Sequence, residues 1–277
     1  MTADVGASGR RCAVLGSPIE HSLSPALHRA AYAEFGLTHW TYDRFQVAET
    51  ALVDVVAQCD PSWRGLSLTM PLKVEVLELG EVDPVAALAG AGNTLIFDED
   101  ARRVYNTDVG GLVWAVRRVS AAPVQTVTIL GAGATARSAL VSAAQLGAER
   151  VLVRARTPEK AEPLRALGDA LGVIVVVEGW SADLPTADLL VSTVTAGVAD
   201  DLAEVAAASA PVVFDVIYDP WPTALAAAAE RAGRTVVNGL DLLVGQALLQ
   251  LELMTGRSVD AEVLYTAGHA ELASRCP

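Results

Sequence analysis

Val127-Thr128-Ile129-Leu130 runs directly into Gly131-Ala132-Gly133-Ala134-Thr135-Ala136, and the helical pattern of residues 139–146 follows. Strand, G-x-G-x-x-A and helix in that order form the loop by which doubly wound sheets take a dinucleotide. Gly131 permits the tight turn, Gly133 lets backbone N–H groups approach a pyrophosphate, and the small Ala136 lets helix and strand pack closely. Ala132, Ala134 and Thr135 complete the loop. The same six residues can also make a tight turn without a ligand, so the reading rests on what surrounds them.

That setting is repetitive. Strand-like runs near 125–130, 150–154, 173–177, 188–193, 212–216 and 235–237 alternate with alanine-rich helices, which predicts a doubly wound parallel sheet. Upstream, runs at 12–15, 40–47, 63–68 and 95–98 alternate with helical patterns near 25–36, 48–58 and 71–79, a first α/β sheet covered by helices. Val109, Leu112, Val113 and Val116 recur at helical spacing between the two series, so a linking helix over 107–119 replaces a flexible linker. Residues 240–251 and 259–273 read as two helices able to close back over either domain. The alanine runs 203–210 and 224–232 are simplest as packed helices, since alanine is the strongest helix former. The expected fold class is α/β, with an N-terminal domain over 1–110, a nucleotide-binding domain over 111–238 and closing helices over 239–277.

Which dinucleotide is bound follows from the next strand. An NAD-preferring fold places a carboxylate for the ribose 2′-hydroxyl about 20 residues after the first glycine. Here stand Arg154, Ala155, Arg156 and Thr157, with no carboxylate before Glu159. Guanidinium groups and a hydroxyl suit a 2′-phosphate, so NADP is expected over NAD. The competing reading is that these arginines are solvated at a helix start.

Composition removes other classes. The 277 residues are 52% hydrophobic and 19% charged, enough apolar surface for packed cores. A net charge of −13 disfavours nucleic acid and anionic membrane surfaces as partners. The longest charge-free stretch, 119–136, carries Pro123 and two glycines and falls short of the ~20 apolar residues of a membrane helix. Arg10-Arg11 could open an export signal, but the apolar run behind it is broken by Gly16 and Pro18 and suits a first strand better. Cys12, Cys59 and Cys276 are odd in number and lack a CxxC pair, which predicts no disulfide framework, no zinc site and a reducing cytoplasm.

After the first strand comes Gly16-Ser17-Pro18-Ile19-Glu20-His21-Ser22-Leu23-Ser24-Pro25-Ala26-Leu27-His28, with Ser24 expected at N-cap and Pro25 at N1. Capping accounts for Ser24 but not for Ser22, and the two hydroxyls with a helix N-terminus suit a carboxylate. This segment resembles the opening motif of the shikimate dehydrogenase family, G-x-P-I-x-H-S-x-S-P-x-x-H. The resemblance continues through Gly65-Leu66-Ser67-Leu68-Thr69-Met70-Pro71-Leu72-Lys73, Gly92-Asn93-Thr94, Tyr105-Asn106-Thr107-Asp108-Val109-Gly110, Asp215-Val216-Ile217-Tyr218-Asp219-Pro220 and Asn238-Gly239-Leu240-Asp241-Leu242-Leu243-Val244-Gly245-Gln246.

The resemblance implies the reversible NADPH-dependent reduction of 3-dehydroshikimate to shikimate, with Lys73 and Asp108 as catalytic pair. Ser22, Ser24, Thr69, Asn93, Tyr218 and Gln246 are implied to contact the substrate carboxylate or hydroxyls. Thr193, Ile217 and Gly239 join residues 131–136, Arg154, Arg156 and Thr157 at the cofactor. The chemistry is consistent: a carbonyl receiving hydride becomes an alkoxide and needs a proton donor, which a partly buried lysine held by a carboxylate provides, and the Asp108 charge also orients a substrate hydroxyl. Outside the resemblance, Lys73 would read as an exposed helix residue and Asp108 as a charge at a helix start. A homodimer is allowed.

Three positions and one loop depart from the family's pattern. Ser67 stands where Asn is common, Arg29 where Asn is usual, and Ala155 replaces an Asn beside the cofactor arginine. Thr193-Val194-Thr195-Ala196-Gly197 only approximates the N-A-T-S-x-G loop. These bear on affinity and spare Lys73, Asp108 and both serines. His21, His28, His39 and His269 lack the spacing of a metal cluster, and His21 reads as an organiser of its loop. Competing functions are an NAD-using quinate/shikimate dehydrogenase, which Arg154 and Arg156 disfavour, and a nonenzymatic NADP or metabolite sensor, which need not retain Lys73 and Asp108. A folate-type methylene dehydrogenase gives the serine loop no role.

Overall fold

The computed structural model describes residues 9–99 and 101–275, so Cys276 lies outside the described residues. Those residues form two compact units. One runs up to Thr107 and resumes at Leu243, and the other spans Asp108–Leu242.

The first unit opens on β1 (Arg11–Gly16), of whose six residues only Arg11 is exposed. Such a continuous apolar run suits a strand covered on both faces and flanked by parallel neighbours. β1 pairs in parallel with β2 (Thr41–Gln46) and β3 (Trp63–Leu68). β5 (Thr94–Phe97) runs antiparallel to β3, and β6 (Arg102–Tyr105) antiparallel to β5. With β4 (Glu81–Val82) the order is β2-β1-β3-β5-β6-β4, a mixed sheet. Ala13, Leu15, Leu66, Leu68, Leu95 and Val104 pack with Leu52 and Val56 of α2 (Leu52–Ala57) and with Leu72 and Val76. α1 (Ser24–Glu34) and α3 (Pro84–Ala89) complete this part, and Asp83 caps α3 by accepting from the Val85 N–H.

Two features differ from expectation. The 71–79 segment is a turn followed by a 3-10 helix, Glu75–Leu79, ended by the extended Gly80. The five-residue helical stretch before β4 is too short to propagate a stable α-helix. β4 and β6 were not expected, because one has two residues and the other, Arg102-Arg103-Val104-Tyr105, has charge where apolar alternation would mark a strand.

The second unit is led by α4 (Thr107–Val119) and contains β7 (Thr126–Leu130), α5 (Ala134–Leu146), β8 (Arg150–Ala155), α6 (Pro158–Ala161), α7 (Pro163–Leu171), β9 (Ile174–Gly179), β10 (Leu189–Ser192), α8 (Ala203–Ser209), β11 (Val212–Asp215), α9 (Ala224–Arg231) and β12 (Thr235–Val237). Its six strands are all parallel in the order β12-β11-β10-β7-β8-β9, the doubly wound arrangement. The alanine runs are helices whose small faces pack closely on the sheet. Ala206, Ala207, Ala228 and Ala229 meet Leu130, Leu190 and Val213.

α10 (Gly239–Thr255) carries the chain back to the first unit, where α11 (Ala261–Ala273), capped by Asp260, packs on α1. Among the described residues no helix is long and apolar enough to cross a membrane.

Candidate active site

The serine loop is held by its backbone. Arg44 of β2 donates from Nη1 to the carbonyl of Glu20 and, at 3.4 Å, to that of Ser22. Arg275 donates to the carbonyl of His21 at 2.9 Å. Three successive carbonyls are thus satisfied by arginines drawn from β2 and the chain's end. The expected capping is shifted by one residue: Leu23 is the N-cap, Ser24 is the first helical residue, and neither supplies a side-chain cap. Ser22 takes that part, its Oγ accepting from the Ser24 N–H at 3.3 Å, a short Ser turn that leaves its proton for another acceptor. Ser24 is buried beside Tyr42.

Behind this loop lies a buried polar cluster. Asn93 donates from Nδ2 to Thr107 Oγ1 at 2.9 Å, and its Oδ1 accepts from the Thr107 N–H at 2.8 Å. Gln246 lies alongside, its Oε1 3.5 Å from Thr107 Oγ1 and its Nε2 donating to the Leu243 carbonyl at 2.8 Å. Asn93 and Gln246 together therefore hold the residue immediately before Asp108. Thr69 follows β3, its N–H donating to the Leu15 carbonyl at 2.9 Å. Lys73 is half-buried in the turn beyond Pro71, and its carbonyl accepts from the Gly92 N–H at 2.7 Å. That bond ties the lysine's backbone to the Gly92-Asn93-Thr94 segment.

Ser22, Ser24, Thr69, Lys73, Asn93 and Gln246 are thus all residues of the first unit. Asp108 and Tyr218 belong to the second. Asp108 is buried in the first turn of α4. Tyr218 follows β11, whose last residue, Asp215, accepts from Thr223 Oγ1 at 2.7 Å and from the Ile217 N–H at 3.3 Å. Burial raises the Asp215 carboxyl above its ordinary value.

In the second unit the glycine loop joins β7 to α5. Gly131 has φ +120°, and a Cβ there would meet Thr193 Oγ1 at 2.4 Å, so only glycine fits the turn. Thr193 donates that hydroxyl to the Leu130 carbonyl at 2.9 Å. Gly133 is the N-cap of α5 without a side-chain cap, and a Cβ on it would meet no atom within 4 Å. An uncapped helix N-terminus opening onto free space fits a pyrophosphate. Ala132, Ala134 and Thr135 are half-buried around it and Ala136 is buried. Gly239 is required by packing: a Cβ would lie 2.2 Å from the Val216 carbonyl oxygen, and its N–H donates to the Ile217 carbonyl at 2.9 Å.

The two arginines expected at the cofactor, Arg154 and Arg156, part company. Arg156 and Thr157 are exposed beyond the strand. Arg154 is buried, paired with Glu178 at 2.7 Å, and donates to the carbonyls of Gly179 and Asp183. This corrects the expectation that Arg154 faces a 2′-phosphate. β8 and β9 are parallel with Arg154 opposite Glu178, so its guanidinium is engaged within the sheet.

Sequence reasoning missed Tyr42, Gln250, Arg44 and Arg275. No local motif marks them, because each acts on a partner far along the chain. Lys160, exposed in the short α6 beyond Thr157, is a further cation beside Arg156 in sequence. Among the described residues no group of three His, Cys, Asp or Glu could hold a metal. Cys12 is buried, which raises its thiol to about 11.

Residues 14–95 match the profile of the shikimate dehydrogenase substrate binding domain and residues 239–267 that of the shikimate 5′-dehydrogenase C-terminal domain. The shikimate dehydrogenase (NADP(+)) of Methanothermobacter thermautotrophicus is 35% identical over 266 residues, 92% of this chain and 94% of that protein. The crystal structure of Mycobacterium tuberculosis shikimate dehydrogenase superposes with TM-score 0.88 at 41% identity, covering 94% of this chain and 99% of that one. The Thermus thermophilus shikimate 5-dehydrogenase, solved in complex with NADP(H) and shikimate, gives TM-score 0.83 at 30% identity over 94% and 99%. With likeness of this extent running through both units, the chain belongs to the shikimate dehydrogenase family.

Proposed function

We propose that this chain catalyses the reversible, NADPH-dependent reduction of 3-dehydroshikimate to shikimate. It is an oxidoreductase of the shikimate pathway that uses NADP(H). The observation that carries this reading is the buried cluster of Asn93, Thr107 and Gln246, in a chain that also has a doubly wound unit with an uncapped glycine loop. Such a cluster suits a small polyhydroxylated acid, whose hydroxyls and carboxylate exchange water for fixed donors and acceptors.

The cofactor, when bound, supplies or takes up the hydride. Residues 131–136 would hold its pyrophosphate, with Thr193, Ile217 and Gly239 lining the same site, and Arg156 with Thr157 would hold its 2′-phosphate. In reduction, Lys73 Nζ gives a proton to the carbonyl oxygen as that oxygen gains negative charge. In oxidation, Lys73 takes it back from the shikimate hydroxyl. Asp108 accepts a hydrogen bond from the neighbouring substrate hydroxyl and balances the lysine's charge. Ser22 and Ser24 bind the substrate carboxylate, and Thr69, Asn93, Tyr218 and Gln246 bind the remaining oxygens. A reducing cytoplasm suits the free Cys12 and Cys59. The test is absorbance of reduced nicotinamide during oxidation of shikimate and quinate, each with NADP and NAD. Turnover of shikimate with NADP above the other three combinations is expected. Preference for quinate with NAD would favour the rival dehydrogenase, and no turnover would favour a sensor.

A further inference from the structure

Gln250 lies one helical turn beyond Gln246 on α10 and is almost wholly buried. Its Nε2 donates to Thr94 Oγ1 at 2.8 Å and to the Asn93 backbone carbonyl at 3.3 Å. A carbonyl only accepts, so the amide nitrogen must face Asn93 and Oε1 must face the opposite side. On that side stand Ser67 Oγ at 2.8 Å and His28 Nε2 at 3.3 Å. Oε1 carries no proton, so Ser67 directs its single proton there and His28 must bear its hydrogen on Nε2.

The constraint passes on. Tyr42 Oη lies 2.6 Å from Ser67 Oγ, whose proton is already engaged, so the phenol is the donor of that bond. Tyr42 then offers only lone pairs toward Ser24 beside it. One carboxamide orients two buried hydroxyls, in the order Tyr42 to Ser67 to Gln250, with the Tyr42 lone pairs left toward Ser24. His28 stacks on the Tyr42 ring at 4.0 Å between centroids, and its Nδ1 has no hydrogen-bond partner.

We infer that Gln250 is a positioning residue for the substrate: by facing Oε1 to Ser67 it turns the protons of Ser67 and Tyr42 away from the serine loop. The Ser24 proton is then the single mobile one, passed to an arriving carboxylate by one rotation about Cβ–Oγ. Its Nε2, donating to Thr94 and to the Asn93 carbonyl, fixes the side chain in that orientation. Ser67, short where the family's pattern has Asn, leaves room for the carboxamide from α10. This rests on the reading of Ser24 and Asn93 as substrate contacts.

Two measurements test it, and the first needs no activity. In full-length protein with isotope-labelled histidine, His28 is expected by NMR as the neutral Nε2–H tautomer. An Nδ1–H tautomer would turn the Gln250 nitrogen toward His28, reverse the chain and overturn the inference. The second is a double-mutant cycle. Gln250→Met should raise KM for shikimate about 5- to 10-fold, the effect of losing about one hydrogen bond, with kcat and KM for NADP within about 2-fold of wild type. In a Ser67→Ala background it should add less than about 2-fold. Unaltered KM for shikimate, or an undiminished effect without Ser67, would overturn the inference. If Gln250→Met fails to fold, Ser67→Ala alone decides: a rise of similar size is expected, and no change overturns the inference. If the wild type does not oxidise shikimate, the functional reading fails while the His28 tautomer still decides the chain's direction.

Discussion

The two units build binding sites from different materials. The first uses side chains drawn from far apart in the chain: Tyr42 meets Ser67, Ser67 meets Gln250, and Asn93 meets Thr107. The second uses backbone, with a turn that only Gly131 can make and a helix start whose amides carry no side-chain cap. Backbone amides at a helix N-terminus recognise phosphate in any molecule that offers one, whereas a network of side chains recognises one arrangement of hydroxyls. On the proposed reading most substrate contacts therefore fall in the unit whose polar cluster is scattered through the sequence, Asp108 and Tyr218 being the exceptions, and the pyrophosphate contact falls on the contiguous loop of the other.

Substitutions can break this contrast. The largest effect is expected at Lys73. Lys73→Ala should lower kcat by about 10²-fold or more with the fold retained, since a proton-transfer group typically contributes 10² to 10⁴. Near wild-type kcat in a folded variant, judged by circular dichroism, would remove Lys73 from the chemistry. Next come Arg154 and Arg156, which the structure separates. Arg156→Ala should raise KM for NADP by about 10- to 150-fold with little change for NAD, the equivalent of ~1.5 to 3 kcal/mol for a charge-assisted hydrogen bond. Arg154→Ala should instead lower the melting temperature and leave the NADP to NAD preference intact, because its guanidinium is engaged by Glu178 and two carbonyls. An altered preference in Arg154→Ala would return that residue to the cofactor.

Smaller effects sharpen the first unit. Ser24→Ala should weaken shikimate binding by ~1 to 2 kcal/mol without touching a helix cap, since Ser24 supplies none. Ser22→Ala should cost a similar amount plus a few tenths from the lost turn, visible as a lower denaturant midpoint. Equal binding of an analogue lacking the carboxylate would contradict both. Stability rather than activity reports a pH effect from His28, whose burial lowers its pKa to about 3 from 6.5. The unfolded chain takes up that proton below 6.5 and the folded one does not until about 3. The contribution to stability is thus complete above 6.5 and declines as pH falls toward 3, by at most ~1.4 kcal/mol per pH unit. Urea titrations should show a shallower acid loss in a folded His28→Gln variant, and an unchanged slope would contradict the assignment.

The same contrast explains what could be read in advance. The second unit's six strands and the helix Thr107–Val119 follow from local apolar runs and periodicity, and Gly131 follows from its motif. Arg154 and Arg156 look equivalent in sequence, because nothing local reveals that Glu178 of β9 will stand opposite Arg154. Ser24 reads as a cap by residue type, yet the helix starts one residue earlier than Pro25 alone implies. Lys73, Asp108 and the serines were reached through ordered motifs resembling a family. Tyr42, Ser67 and Gln250 were invisible as a set, since only the mixed sheet and α10 bring residues so distant in sequence together.

The most direct test is a four-way comparison of Michaelis constants, for shikimate and for NADP, in Ser24→Ala and Arg156→Ala. Ser24→Ala should raise KM for shikimate alone and Arg156→Ala KM for NADP alone, each by at least about 5-fold. Both variants raising both constants equally, or neither raising its own, would contradict the division of substrate and cofactor recognition between the two units.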